Sequence, residues 1–176
     1  ENCTGEIKAA EEGREVYNDW IKQLGQKGWL CPGWPVEYGG AGLSFEEHIA
    51  LTEEFTAADV VTGFDGQGRN MIGPTLLEYG TDEQKAKHLA PIARGEIQWC
   101  QGYSEPGSGS DLASLSTKAV RDGNHYVING QKIWTSGAHL SQWIYVLVRT
   151  DPEASKHDAI TLVLVDMDQP GVPVKP

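Results

Sequence analysis

Ser104-Glu105-Pro106-Gly107-Ser108-Gly109-Ser110-Asp111 sets two glycines and three serines around a proline turn, directly after the strand-like run Ile97 to Tyr103. Glycine has no Cβ, so Gly107 and Gly109 let backbone N–H groups converge on one point and form a concave anion site. The serine hydroxyls add donors that rotate to suit a phosphate. The residues after the loop narrow the fold. A P-loop needs a lysine after its second glycine, where Ser110-Asp111 stands. A Rossmann turn needs a third glycine at the position of Leu112, and then a helix. Instead Ala113, Leu115, Thr117 and Ala119 alternate with Ser114, Ser116, Lys118 and Val120, the period of a strand. Both common mononucleotide folds are disfavoured. The loop reads either as a phosphate site between strands or as a plain surface turn.

Moving outward, His125-Tyr-Val-Ile-Asn-Gly-Gln-Lys-Ile-Trp-Thr-Ser136 reads as two strands joined at Asn129-Gly130, the strongest short hairpin signal. Trp134 beside the hydroxyls of Thr135 and Ser136 suits a flat heteroaromatic ligand, and equally a core tryptophan at a strand end. Period two continues through Trp143 to Val148 and Ile160 to Val165, with a short turn at Asp122-Gly-Asn124. Upstream the period changes. Tyr17, Trp20, Ile21 and Leu24 follow i, i+3, i+4, i+7, which predicts one buried helical face. Ser44 with Glu47 predicts a capping box for a helix running to about Ala58, and Thr81 with Gln84 predicts another, closed near Gly95. Gly63 to Gly68 is ambiguous. The expected fold is α+β: a helical domain over residues 1–96, then a β-barrel or sandwich over 97–176.

With these elements in place, Gln101-Gly-Tyr-Ser-Glu-Pro-Gly-Ser-Gly-Ser-Asp-Leu-Ala-Ser114 resembles the first signature of the acyl-CoA dehydrogenase family. Asn129-Gly-Gln-Lys-Ile-Trp-Thr-Ser-Gly-Ala138 is similar to its flavin-stacking strand. Pro35-Val-Glu-Tyr-Gly-Gly-Ala-Gly42, Glu53-Glu54, Tyr79-Gly-Thr-Asp-Glu-Gln-Lys85, Val148-Arg-Thr-Asp-Pro152 and Leu164-Val-Asp-Met167 extend the likeness over essentially the whole chain.

The resemblance implies a cofactor, FAD. It places Tyr103 and Ser104 at the flavin ring system, Gly109 and Ser110 at the pyrophosphate, and Ser110 also at the acyl-CoA substrate. Trp134 would lie against the isoalloxazine, with Ser136 near N5 and Thr135 contributing backbone between them. The implied reaction is α,β-dehydrogenation of an acyl-CoA thioester in fatty-acid β-oxidation. A glutamate removes the α-proton, hydride passes to the flavin, and electrons leave to an electron-transferring flavoprotein. In the family that glutamate lies in a C-terminal four-helix bundle. No catalytic residue is therefore assigned here, and the chain is expected to be partial and inactive alone. Glu105 and Asp111 are expected to cap backbone N–H groups, because a carboxylate facing a pyrophosphate would repel it. Alternatives on the same scaffold are an acyl-CoA or nitroalkane oxidase, or a non-catalytic subunit that completes a partner's flavin site in a homo- or hetero-oligomer.

A net charge of −11 argues against nucleic-acid partners, which need clustered Lys and Arg. It also poses a problem, since FAD and CoA are anions. Arg121, Lys132 and Lys156 are candidate local cations. Cys3, Cys31 and Cys100 have no metal spacing and are odd in number, which favours a reducing compartment, cytoplasmic or mitochondrial matrix. The five histidines are too scattered for a metal site, and no run is apolar enough for a membrane span. Trp29 and Trp34 are core residues or line an acyl channel. Arg69 is either a helix-start arginine or a carboxylate or phosphate contact.

Overall fold

The computed structural model describes the backbone of residues 2–60, 62 and 66–175, and their side chains from residue 15 onward. The chain divides into two compact units, residues 1–97 and 98–176. The first is helical and the second is built on a β-sheet, as the periodicities require.

The helical unit contains α1 (Asn2–Gln26), α2 (Phe45–Ala57), α3 (Gly73–Tyr79) and α4 (Asp82–Ala93). Both capping boxes form. Ser44 N–H donates to the Glu47 carboxylate at 2.8 Å and Glu47 N–H to Ser44 Oγ at 3.3 Å. Thr81 and Gln84 repeat the exchange at 2.9 and 3.3 Å. Each box satisfies two N–H groups that a helix start leaves without intrahelical partners. α4 closes as a Schellman motif: Glu96 N–H reaches Pro91 O, Gly95 N–H reaches Ile92 O, and Gly95 takes φ +67°. A side chain at Gly95 would also strike Ile21, with its Cβ 2.6 Å from Ile21 Cγ2.

The C-terminal end of α1 thus meets the end of α4, where a Cβ on Gly25 would lie 2.7 Å from Arg94 Cα. The predicted helical face is unevenly covered. Leu24 is buried and Tyr17 and Ile21 half-buried, while Trp20 is 36% exposed. Leu30, Cys31, Ile72, Leu76, Leu89 and Ile92 complete the core. His88 is buried among them, and burial, with Lys87 nearby, holds its pKa below the ordinary value. A π-helical turn, Gly68–Ile72, leads into α3. Within the ambiguous stretch Gly66 and Gln67 are helical, while residues 63–65 lie outside the described residues, as does the Cys3 side chain. Cys31 and Cys100 are buried thiols, neither in a disulfide.

In the second unit β1 (Trp99–Gly102), β2 (Lys118–Asp122), β3 (His125–Asn129), β4 (Trp143–Arg149) and β5 (Ile160–Asp166) make one mixed sheet. Central β4 pairs antiparallel with β5 along its whole length. On its other side it runs parallel to β1, and then to β2 at Lys118↔Arg149. Cys100, Ala119, Ile144, Val146 and Val148 form the sheet's core cluster. The hairpin differs from expectation. β2 and β3 are joined at Gly123-Asn124, with Gly123 at φ +59°, and Asn129-Gly130 ends β3 instead of turning it. Gly130 serves close approach: a Cβ there would lie 2.6 Å from Thr117 Cβ and 2.7 Å from Thr117 Cα. The expected strand alternation begins at Leu115, because Leu112–Ser114 forms a 3-10 turn.

Candidate functional site

Two sequence-distant stretches meet beside the end of β1. Residues 103–105 lie against residues 132–134, and Ile133 N–H donates to Ser104 O at 2.9 Å. Lys132 Nζ donates to Tyr103 O at 3.1 Å and to Glu105 Oε1 at 2.8 Å. This ion pair is buried, with the Lys132 and Glu105 side chains only 9% and 4% exposed. Gly102 lies in contact with the lysine stem, and a side chain there would crowd its sheet neighbours, since a Cβ would lie 3.0 Å from Ile144 Cδ1 and 3.2 Å from Val146 Cγ2.

Glu105 organises the loop from inside. Its carboxylate also accepts from Ser116 N–H at 2.7 Å, Ser116 Oγ at 2.8 Å and Thr117 N–H at 2.9 Å. Burial pushes its pKa up, but Lys132, Thr117 and Ser116 together outweigh burial and hold it far below the usual carboxylate range. The expected capping role of Glu105 is therefore met. Asp111 differs: its side chain pairs with Lys156 Nζ at 2.8 and 2.9 Å, and its backbone carbonyl accepts the Ser108 hydroxyl at 3.0 Å. It balances a charge across the loop mouth in place of the expected backbone cap.

The three candidate cations are all engaged within the chain. Lys132 faces Glu105, Lys156 faces Asp111, and Arg121 Nε donates to Gly123 O in the hairpin turn. An anion at this loop therefore meets neutralised carboxylates, bare backbone and hydroxyls. Gly107 and Gly109 have open space where a Cβ would stand, and neither has a positive φ, so nothing within the chain demands glycine there. Among the three loop serines, Ser108 is buried and donates inward to Asp111 and Leu112 carbonyls, which removes it as a phosphate donor. Ser110 is exposed, and among the described residues its hydroxyl has no partner.

Trp134 is 87% exposed and takes φ +58°. It is therefore no core tryptophan. A bulky residue in the left-handed region costs about 1–3 kcal/mol and persists only where its surroundings over-determine it. The neighbouring bonds do so: Ile133 N–H to Ser104 O on one side, Ser136 N–H to Trp134 O at 3.0 Å on the other. Thr135 is half-buried, with its carbonyl accepting Ala138 N–H at 3.2 Å, and Ser136 is exposed. Tyr103 is half-buried, its ring edge-on to Tyr145 at 5.7 Å, and burial raises the pKa of its phenol. The structure thus gathers Tyr103, Ser104 and Trp134, with Thr135 and Ser136 continuing from them. Gly109 and Ser110 occupy the far arm of the same loop.

One residue of the Val148-Arg-Thr-Asp-Pro152 motif, given no role from the sequence, also serves the loop. Arg149 Nε donates to Leu115 O at 3.0 Å and Nη2 to Ala113 O at 2.7 Å, which ties down the end of the loop that Glu105 does not reach. A single arginine closing the apolar run Trp143–Val148 is the signal for it.

The helical unit holds a cleft of about 280 Å³ beside α2, with Trp29, Leu51 and Phe55 among its walls and His48, Arg69 and Asn70 among its polar groups. Arg69 Nη1 donates to Thr62 O at 2.9 Å. Trp34 is not in this cleft; it packs on Gly73. Among the described residues no His, Cys, Asp and Glu cluster could hold a metal, and no helix is long and apolar enough to cross a membrane.

A helical unit, a following β-sheet, and a glycine-serine loop pinned beside an exposed indole accord with the acyl-CoA dehydrogenase resemblance. Comparison with known proteins agrees. Residues 1–96 match the acyl-CoA dehydrogenase N-terminal domain and residues 100–176 the acyl-CoA dehydrogenase middle domain. The chain belongs to the acyl-CoA dehydrogenase family. It is 47% identical over 185 residues to the acyl-CoA dehydrogenase IpdE1 of Mycobacterium tuberculosis, covering 100% of this chain and 48% of that protein. A solved Tcur3481-Tcur3483 steroid ACAD shares 48% identity at TM-score 0.77, covering 89% of this chain and 40% of that one. A glutaryl-CoA dehydrogenase from Mycobacterium smegmatis in complex with FADH2 shares 30% identity at TM-score 0.68, over 88% of this chain and 38% of that one. The chain spans about half the length of the curated relatives it matches, or less. Oxidoreductase activity is characteristic of the family at this level.

Proposed function

We propose that residues 98–176 form the flavin floor of an FAD-dependent acyl-CoA dehydrogenase, with residues 1–97 its N-terminal helical domain. The observation that carries this reading is Trp134, a solvent-facing indole held in a left-handed backbone beside the glycine-serine loop. The residues fit the cofactor's chemistry. An exposed indole offers a stacking face. Tyr103 and Ser104 present backbone and a hydroxyl to the ring system, and Gly109 and Ser110 present uncrowded N–H groups and a hydroxyl to a diphosphate. Ser110 also serves the acyl-CoA, while Thr135 and Ser136 orient the reactive edge of the ring. When bound, the flavin would supply the two-electron redox chemistry that α,β-dehydrogenation requires. The protein's own contribution here is orientation and charge: Glu105 and Asp111 are both neutralised by lysines, so neither opposes an anionic ligand.

The rest of the activity is part of the same proposal. A base outside these residues removes the α-proton, and electrons pass to an electron-transferring flavoprotein. The likeness to a steroid ACAD favours a bulky, ring-bearing acyl group. That relative is named for two polypeptides, which favours a second reading, a subunit that shares its flavin site with a partner chain.

The test is anaerobic titration of the intact protein, alone and co-expressed with candidate partner chains. A yellow protein bleached by an acyl-CoA supports the reading, and faster bleaching by a steroid-derived acyl-CoA than by a straight chain supports the substrate class. Rapid peroxide release in air would reassign it as an oxidase. Trp134→Ala should lower FAD occupancy severalfold. Unchanged flavin absorbance in that variant, or a wild-type protein that stays colourless with FAD in every combination, would overturn the proposal.

A further inference from the structure

We infer that Lys132 is a positioning residue: its buried ammonium, held between Tyr103 O and Glu105, fixes the left-handed backbone at Trp134 and so sets the stance of the stacking indole. The inference rests on the flavin reading of this site, but the clamp is visible without it. Lys132 precedes Trp134 by two residues and bonds across to the loop at 3.1 and 2.8 Å. Ile133, between them, bonds the same loop through its N–H. Residues 132 and 133 are thus bound to residues 103–105 by three hydrogen bonds, and Trp134 is the first residue beyond them. Its indole makes little packing contact of its own, being almost wholly exposed. Its placement is therefore delegated to the backbone, and the backbone is held by this lysine and its neighbour.

The chemistry of the slot favours an ammonium. Lysine carries three donors in a compact head. Two are spent on Tyr103 O and Glu105 Oε1, acceptors on one loop. A neutral side chain of similar length fills the space beside Gly102 but cannot draw the loop and the 131–134 segment together. The partner carboxylate does not collapse when Lys132 is replaced, because three donors from Ser116 and Thr117 remain on it. Lys132→Met is thus a variant expected to fold.

The experiment uses the intact protein and two readouts. In apo-protein, Lys132→Met should speed amide exchange over residues 131–136 by about tenfold or more, the factor that corresponds to one hydrogen bond's worth of local opening, with α4 unchanged. In flavin-loaded protein it should weaken FAD binding by about tenfold and alter the visible circular dichroism of the flavin. Combined with Trp134→Ala, the two losses in FAD affinity should be less than additive, since one residue acts through the other. Unchanged exchange in a folded Lys132→Met protein removes the clamp, and strictly additive losses remove the link to Trp134. If Lys132→Met fails to fold, Lys132→Gln is measured in the same way, with the same outcomes deciding. A wild-type protein that never takes up FAD sinks the flavin reading and with it the stacking role, while the exchange result still judges the clamp.

Discussion

The two ends of the Ser104–Asp111 loop each carry a lysine–carboxylate pair at 2.8 Å, and the pairs have little else in common. Glu105 and Lys132 are 4% and 9% exposed; Asp111 and Lys156 are 64% and 53% exposed. The inner carboxylate accepts four hydrogen bonds from three residues of the sheet unit, whereas the outer pair is a direct contact open to solvent. The distance is the same but the environment is not. Water and salt screen the outer pair and leave it little net energy, while removal of Glu105 from the inner pair strands a buried ammonium. One end of the loop is thus an architectural joint, and the other balances charge near a proposed diphosphate site.

The sharpest way to break this contrast is Glu105→Ala. It strands the Lys132 ammonium and leaves the Ser116 N–H and the buried Thr117 N–H without their acceptor, so urea denaturation should show a loss of about 3–5 kcal/mol. A loss below about 1 kcal/mol would place Glu105 with the surface pairs. Next comes Gly130→Ala, whose added Cβ meets the backbone of Thr117 and should cost about 1–3 kcal/mol in the same assay. No change there would mean that residues 129–131 yield freely and that the joint is looser than it looks.

Acid sharpens the comparison further. The folded pKa of Glu105 lies below its ordinary 4.5, so its contribution is complete above pH 4.5 and is lost as pH falls through the folded value. Glu105→Gln should therefore flatten the loss of stability below pH 4.5. An acid limb as steep as the wild type's would assign that limb to other carboxylates. The smallest effect is expected from Asp111→Asn. Its midpoint should stay close to the wild type's, and any shift should vanish in 1 M salt, where the screening length is about 3 Å. A shift that survives high salt would make the outer pair structural too.

The helical unit was legible at its ends, because a capping box is a four-residue device that needs no tertiary partner. Ser44/Glu47 and Thr81/Gln84 formed where the sequence placed them, and Gly95 closed α4. Burial along the Tyr17, Trp20, Ile21 and Leu24 face is uneven, because a helical period says which residues share a face and not how deeply each is covered. In the sheet unit the strands were readable from period two. Asn129-Gly130 misled, since the same dipeptide that favours a tight turn also supplies a residue without a Cβ, and here Thr117 needs the second property. Ser108 misled for a related reason: a hydroxyl in an anion-like loop can equally bond the loop's own carbonyls.

What the amino-acid order determined unaided was the family, the division into helices and then strands, and the two capping boxes. All of these rest on local patterns, which propensity, capping and short motifs encode within a few residues. What only the folded chain decided was which charges are spent on each other. Lys132 and Glu105 are 27 residues apart, and Arg149 lies more than 30 residues from the carbonyls it holds. Burial alone turns such a pair from a screened surface contact into a joint, and burial is a property of the whole fold that no short stretch of sequence contains.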